Sequence, residues 1–210
     1  NVSIFNETEF NTAEGEVHSN WLDMGFHNLF GSSLFNLRVG KQSMMYWHAV
    51  SGRLRSIPNI KYRIASDVKS SNGKGEDSVS MGGGVPAISL YGYKDIFWYQ
   101  AGISNGAKLV DPNDGKNFFG TLKLEAKEGQ FEGSSISVWG MRGIDTTDSK
   151  EAQIENEFWR VSPAANIRYG KWDIMGGYWY GNDDNFSLEP IALEEIIFHG
   201  VLFQINYMIN

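Results

Sequence analysis

The sequence predicts an all-β fold, a single transmembrane antiparallel β-barrel over residues 1–210 with long polar outer loops, and three observations carry that expectation. From Gly200 to Asn210, Val201, Phe203, Ile205, Tyr207 and Ile209 fall on one face, while Gln204, Asn206 and Met208 fall on the other. Successive strand side chains point to opposite sides, so this is a strand with one apolar and one largely polar surface. Composition agrees: 24 Gly against 5 Pro and 14% aromatic residues suit a chain of many tight turns, and Leu and Ala are too sparse for a helical bundle. Connections also alternate in length. Gly31 to Ser33 and Arg168 to Trp172 are tight, whereas 105–116, 143–157 and 181–195 are long, polar and acidic. Membrane barrels place short turns at one end and long loops at the other, and a soluble sandwich has no reason to segregate loops by length.

Taken in order, the N-terminal VSIFNETEF is extended and NTAEGE is turn-like. Trp21, Asp23, Gly25 and His27 then oppose Leu22, Met24 and Phe26, and Gly31-Ser32-Ser33 turns the chain into a strand where Phe35, Leu37 and Val39 oppose Asn36, Arg38 and Gly40. The period fades over 43–58 and resumes with Ile60, Tyr62 and Ile64 against Lys61 and Arg63. Asn72-Gly73, inside a charged tract, is a hairpin signal. The segment 78–104 reads as two strands joined near Tyr93-Lys94-Asp95, the second with Phe97, Tyr99, Ala101 and Ile103 on one face. Phe118, Gly120, Leu122, Leu124 and Ala126 oppose Phe119, Thr121, Lys123, Glu125 and Lys127. Through EGQFEG this strand pairs with one in which Ile136, Val138 and Gly140 face away from Ser135, Ser137 and Trp139. After an acidic loop over 143–157 come VSPAANIRYG, a strand with Trp172, Ile174, Gly176, Tyr178 and Tyr180 on one face, another loop, and the terminal strand. Roughly ten strands of about ten residues use up the chain, near the length a tilted membrane strand needs.

Several function classes fall away on composition. A net charge of −7 and a pI near 5.1 lack the basic face a nucleic-acid binder needs. With 0 Cys there is no disulfide framework, thiolate metal site, cysteine nucleophile or covalent haem attachment in the chain. No run approaches the ~18 apolar residues of a spanning helix. The mean hydropathy of −0.33 is compatible with a barrel, which carries its lipid face on every second residue. A charged-then-apolar leader is not seen at Asn1, so the chain is expected to be mature or an internal piece.

FNLRVGKQ followed by GRLR, YGYKDIFWYQAGISNG with the later DGKNFFGTLKLEAKEG, and RVSPAANIRYGKWDIMGGYWYGND resemble the phosphate-selective-porin-like outer-membrane porins. Ala101 to Gly106 resembles that family's aromatic-rich strand end and turn, and Asp114 to Leu122 its following strand, with Thr121 where the family more often has Arg. The resemblance implies a passive, non-enzymatic diffusion pore for small hydrophilic solutes in a Gram-negative outer membrane, without a cofactor. Its partners would be the lipid bilayer with lipopolysaccharide and further copies in a homo-oligomer. Because family barrels are larger, the chain is expected to be an internal portion of one.

Arg38, Lys41, Arg53, Arg55, Lys61 and Arg63 hold a third of the 18 Lys and Arg within 26 residues. Together with Lys123 and Glu125 they are the candidate pore-lining residues, and rings of Arg and Lys bias a pore toward anions. The bland reading makes them ordinary lumen charges paired with carboxylates. Trp98, Tyr99, Trp172, Tyr178, Tyr180 and Tyr207 are the candidate membrane-interface residues; Trp21, Trp139, Trp159 and Trp179 are read as girdle residues with them. Asp111, Asp114, Asp145, Asp148, Asp183 and Asp184 lack EF-hand spacing and read as solvated turns. His18, His27, His48 and His199 show no metal spacing, no GxSxG elbow is present, and Gly82 to Gly84 lack the Lys and helix of a phosphate loop. Two rivals remain: a barrel sheathing an electron-transfer conduit with a multihaem cytochrome partner, and a secreted β-sandwich binding carbohydrate through Trp and Tyr. The membrane reading requires the apolar faces to be left uncovered by protein.

Overall fold

The computed structural model describes residues 1–11, 16–42, 85–105, 115–148, 153–184 and 195–208. They form one antiparallel sheet of ten strands, each hydrogen-bonded to the next in chain order. The strands are β1 (Val2–Asn11), β2 (Glu16–Phe26), β3 (Asn36–Gln42), β4 (Val85–Lys94), β5 (Phe97–Ser104), β6 (Asn117–Glu125), β7 (Ser135–Asp148), β8 (Gln153–Tyr169), β9 (Trp172–Asp183) and β10 (Ile196–Tyr207). A 3-10 turn at Leu29–Gly31 is the one helical element among the described residues, and no described helix is long and apolar enough to cross a membrane. Among these residues β1 and β10 do not pair with each other, so the sheet has two edges.

Register follows the period-two pattern. Phe26 to Leu37, Leu37 to Leu90, Leu90 to Ala101 and Ala101 to Gly120 are direct cross-strand partners. The row continues through Gly140, Val161, Tyr180 and His199. A single-residue slip would turn every apolar side chain of a strand to the other face, so continuity across nine strands shows that the alternation fixes the pairing. Tight turns at one end hold it in place. Asp95 and Gly170 take left-handed backbone (φ 53° and 57°) in the β4–β5 and β8–β9 hairpins. The β2–β3 connection is clamped to the sheet: the Asn36 amide donates to the carbonyls of Ser33 (2.8 Å) and Tyr91 (3.0 Å), and the Tyr99 hydroxyl donates to Leu34 O at 2.7 Å. Gly92 permits that contact, since a Cβ there would strike the Leu34 carbonyl.

Burial is inverted relative to a soluble sheet. The apolar face is exposed, with Ile88, Phe118, Leu122, Ile136 and Phe203 all between 52% and 66% accessible. The polar face is buried, with Gln42, Asn36, Ser89, Asn117, Thr121, Gln100 and Ser162 at 3% or less. The polar side is therefore the covered face of the sheet, and the apolar side is its exposed exterior.

The structure corrects one predicted loop. The stretch 143–157 is mostly strand: β7 runs to Asp148, β8 begins at Gln153, and 149–152 join them. Fourteen consecutive residue pairs link these strands, from Ser135 with Asn166 to Asp148 with Gln153. The segment is polar because it extends past the apolar band, not because it leaves the sheet. Pro163 sits within β8 opposite Val138, and the ladder to β9 skips Ser162 and Pro163, which accommodates the missing N–H. The strand expected from Ile60, the Asn72-Gly73 turn and the Gly82 to Gly84 run lie outside the described residues.

Candidate functional site

The buried polar face is the part of the molecule that carries chemistry. Position parity puts Asp23, Arg38, Ser89, Gln100, Thr121, Lys123, Arg160, Ser162 and Asn166 on it, two residues apart along each strand. Hydrogen bonds run across the strands: Gln42 Nε2 donates to Ala87 O at 2.9 Å, Ser89 Oγ to Gln42 Oε1 at 2.6 Å, and Gln100 Nε2 to Ser89 Oγ at 3.1 Å. Asn117 Oδ1 accepts from Ile144 N at 3.0 Å, and Gly143 leaves the room that side chain needs. Near the short-turn end, His27 bridges Ser3 Oγ (Nε2, 2.7 Å) and the Tyr91 hydroxyl (Nδ1, 2.8 Å).

Two carboxylates on this face hold basic partners. Arg38 grips Asp23 through two parallel bonds, Nε to Oδ1 at 2.7 Å and Nη2 to Oδ2 at 2.5 Å, with both side chains largely hidden. That fork geometry suits guanidinium and carboxylate and is the strong form of an ion pair. Lys123 meets Glu125 at 2.5 Å, and Lys127 reaches the other oxygen of the same carboxylate. Arg160, 6% accessible, lies with Cζ 4.2 Å over the Phe158 ring. Apolar bulk fills the remaining volume: Trp139 and Trp179 are wholly buried with ring centroids 5.9 Å apart, beside Met175 at 1% and Phe158 at 2%.

Of the candidate pore-lining residues, Arg38, Lys123 and Glu125 lie on the polar face. Lys41 does not: it pairs with Leu22 and Pro86 on the apolar face. It is three positions from Arg38, an odd step, so closeness in sequence puts the two on opposite sides of β3. Arg53, Arg55, Lys61 and Arg63 lie outside the described residues. Of the interface candidates, Tyr99, Trp172, Tyr178, Tyr180 and Tyr207 share the apolar face. Trp98 is corrected to the polar face, opposite Tyr93 and Lys123, because strand neighbours Trp98 and Tyr99 cannot face the same way. Trp139 and Trp179, read as girdle residues, are interior packing instead, and the Trp21 side chain lies outside the described set. Sequence reasoning missed Arg160 and Phe158 because it put 157 and its neighbours in a loop. Parity counted back from Val161 and Ile167 identifies both as inward.

On the exterior, aromatic pairs gather at two levels. At the short-turn end Trp172 meets Tyr207 (4.7 Å) and Phe131 meets Tyr169 (5.5 Å). At the opposite end Trp159 meets Tyr180 (5.1 Å), and His199 packs on Tyr180 (5.2 Å) while its Nδ1 meets the Tyr178 hydroxyl at 2.8 Å. Along β8, Trp159 and Tyr169 are separated by about 10 residues, roughly 33 Å along the strand at ~3.3 Å each. No group of three or more potential metal ligands occurs among the described residues. Neither a protein-family model nor a curated protein matches the chain.

Proposed function

We propose that this sheet is the wall of a closed β-barrel in the outer membrane of a Gram-negative bacterium, its convex face in lipid and its polar face around a narrow passage for small hydrophilic solutes. The observation that carries the reading is the inverted burial, with Gln42, Gln100 and Thr121 hidden while Ile88, Leu122 and Phe203 stand uncovered. In water the reverse arrangement is favoured by about 25 cal/mol per Å² of apolar area buried, so an exposed apolar face of this extent calls for a lipid solvent. At the tilt of about 40° that membrane-barrel strands take, the two aromatic levels would stand roughly 25 Å apart, the height of such a barrel's apolar band. The likeness of three segments to phosphate-selective-porin-like porins points the same way.

Side chains make the passage narrow. A barrel of about eight strands is nearly filled by its own residues, and widths that leave an aqueous channel need about 16. Among the described strand residues on the polar face, Arg38, Lys123, Arg160 and Arg168 carry four positive charges against three negative from Asp23, Glu125 and Asp173. The excess of one supports a weak preference for anions. The packing of Trp139 and Trp179 favours one alternative, the same barrel without conductance. It also leaves little room for a haem relay through the interior. A carbohydrate-binding sandwich would need a second sheet over the apolar face, and the described strands form one sheet.

Extraction and conductance test the reading together. The chain should require detergent, show heat-modifiable gel mobility, and give small, weakly anion-selective steps in a planar bilayer. Solubility without detergent would refute the membrane assignment; insertion without conductance would retain the barrel and remove the pore.

A further inference from the structure

Basic residues stand on the apolar face where an apolar neighbour is expected, and they share one end of the sheet. Val39, Ile88, Ile103, Phe118 and Arg142 form one outward row by direct pairing, continued by Trp159. Arg142 is thus in register with an aromatic residue of the long-loop level and is 80% accessible. Lys41 lies one outward position beyond that row, past Val39, and Lys116, just before β6, is exposed at the same end. Lys116 is two residues from Phe118, the direct partner of Arg142. Lys41 on β3 stands three strands from β6 and four from Arg142 on β7, roughly 14 and 19 Å at ~4.8 Å per strand.

The distribution of charge around this collar is uneven. Outward positions of β8 at the same end carry Glu155 and Glu157, both exposed, and exposed Asp184 and Glu195 follow at the ends of β9 and β10. Among the described residues, basic groups therefore occupy the β3–β7 arc and acidic groups the β8–β10 arc. Glu157 lies 4.0 Å from Arg142 with both side chains exposed, a geometry that binds weakly and leaves the guanidinium fork open to a second anion. At the depth of an aromatic girdle a long basic side chain extends along the apolar surface and carries its charge to the headgroups.

We propose that Lys41, Lys116 and Arg142 form a seat for the phosphorylated headgroup of an anionic lipid in the leaflet on the long-loop side. The proposal rests on the membrane reading above. Phosphate matches it in charge, and a guanidinium presents its donors in the fork that phosphate oxygens accept. The acidic arc repels the same headgroup, so anionic lipid should gather on one flank of the barrel.

Trp159, next to Arg142, supplies the reporter. The full chain is reconstituted in phosphatidylcholine vesicles in which either brominated phosphatidylcholine or brominated phosphatidylglycerol quenches tryptophan fluorescence. We expect phosphatidylglycerol to be preferred, the preference to weaken as salt rises, and each of K41Q, K116Q and R142Q to cut it up to about fivefold. The triple variant should show no preference while keeping its heat-modifiable mobility. Equal preference in the wild type and the triple variant would overturn the seat alone. Loss of the preference on adding inorganic phosphate at constant ionic strength would overturn the lipid assignment in favour of a free-phosphate site. Absence of quenching by either brominated lipid would overturn the membrane reading together with the seat.

Discussion

Val138→Arg separates a lipid-facing sheet from a water-facing one. Val138 is 41% accessible on the apolar face and pairs directly with Pro163. Pro163 lies on β8 between Trp159 and Tyr169, four positions from the first and six from the second. The site is therefore close to the middle of the apolar band. In water, an arginine at such an exposed position changes stability by no more than about 0.5 kcal/mol. In a bilayer the same arginine near the midplane costs about 2–4 kcal/mol, a factor of roughly 30 to 900 in the folding equilibrium. Equilibrium folding into short-chain phosphatidylcholine vesicles, titrated with urea and followed by gel mobility, measures the difference. A loss below about 0.5 kcal/mol, or identical folding of both proteins without lipid, would refute the argument from inverted burial.

Two further outcomes follow from the interior. Removing either partner of the Asp23–Arg38 fork should cost about 3 kcal/mol, and the Asp23→Asn, Arg38→Met double variant should recover a large part of that loss; additive single losses in the double-mutant cycle would show that the fork contributes no coupling. Replacing Trp139 and Trp179 by Ala should destabilise the fold by about 3–5 kcal/mol each and, if the passage conducts, enlarge its single-channel conductance, whereas unchanged conductance in a folded variant would place the constriction elsewhere.

The sequence revealed faces well and limits poorly, for a physical reason. Face assignment depends on parity, and parity survives wherever a strand alternates: the outward sets Phe97 to Ile103, Phe118 to Leu124 and Trp172 to Tyr180 stand where the alternation puts them. Strand ends depend on where pairing stops, and pairing does not require apolar residues. The polar outer reaches of β7 and β8 pair as regularly as their apolar parts, so Asp145 to Asp148 and Gln153 to Glu157 looked like a loop while forming a ladder. The placement of Lys41 failed for the opposite reason. Closeness in sequence grouped Arg38 with Lys41, although an odd step separates faces in a strand, and the error concealed a charge on the exterior.

What the alternation could not supply is the radius of curvature. The same polar residues, Gln100 and Thr121 among them, line open water in a wide barrel and pack against tryptophan in a tight one. The deciding quantity is how far the sheet curls, and that is set by strand number, stagger and the bulk of inward side chains acting together. Here the bulk is concentrated in Trp139, Met175 and Trp179 on β7 and β9, flanking a β8 whose inward side chains include Ser162 and Ala164. Small residues between large ones let the two indoles close over the intervening strand at 5.9 Å. The period of two says which side faces in. Whether that side encloses water is determined by the sizes of residues two strands apart, a relation that emerges only once the register is known.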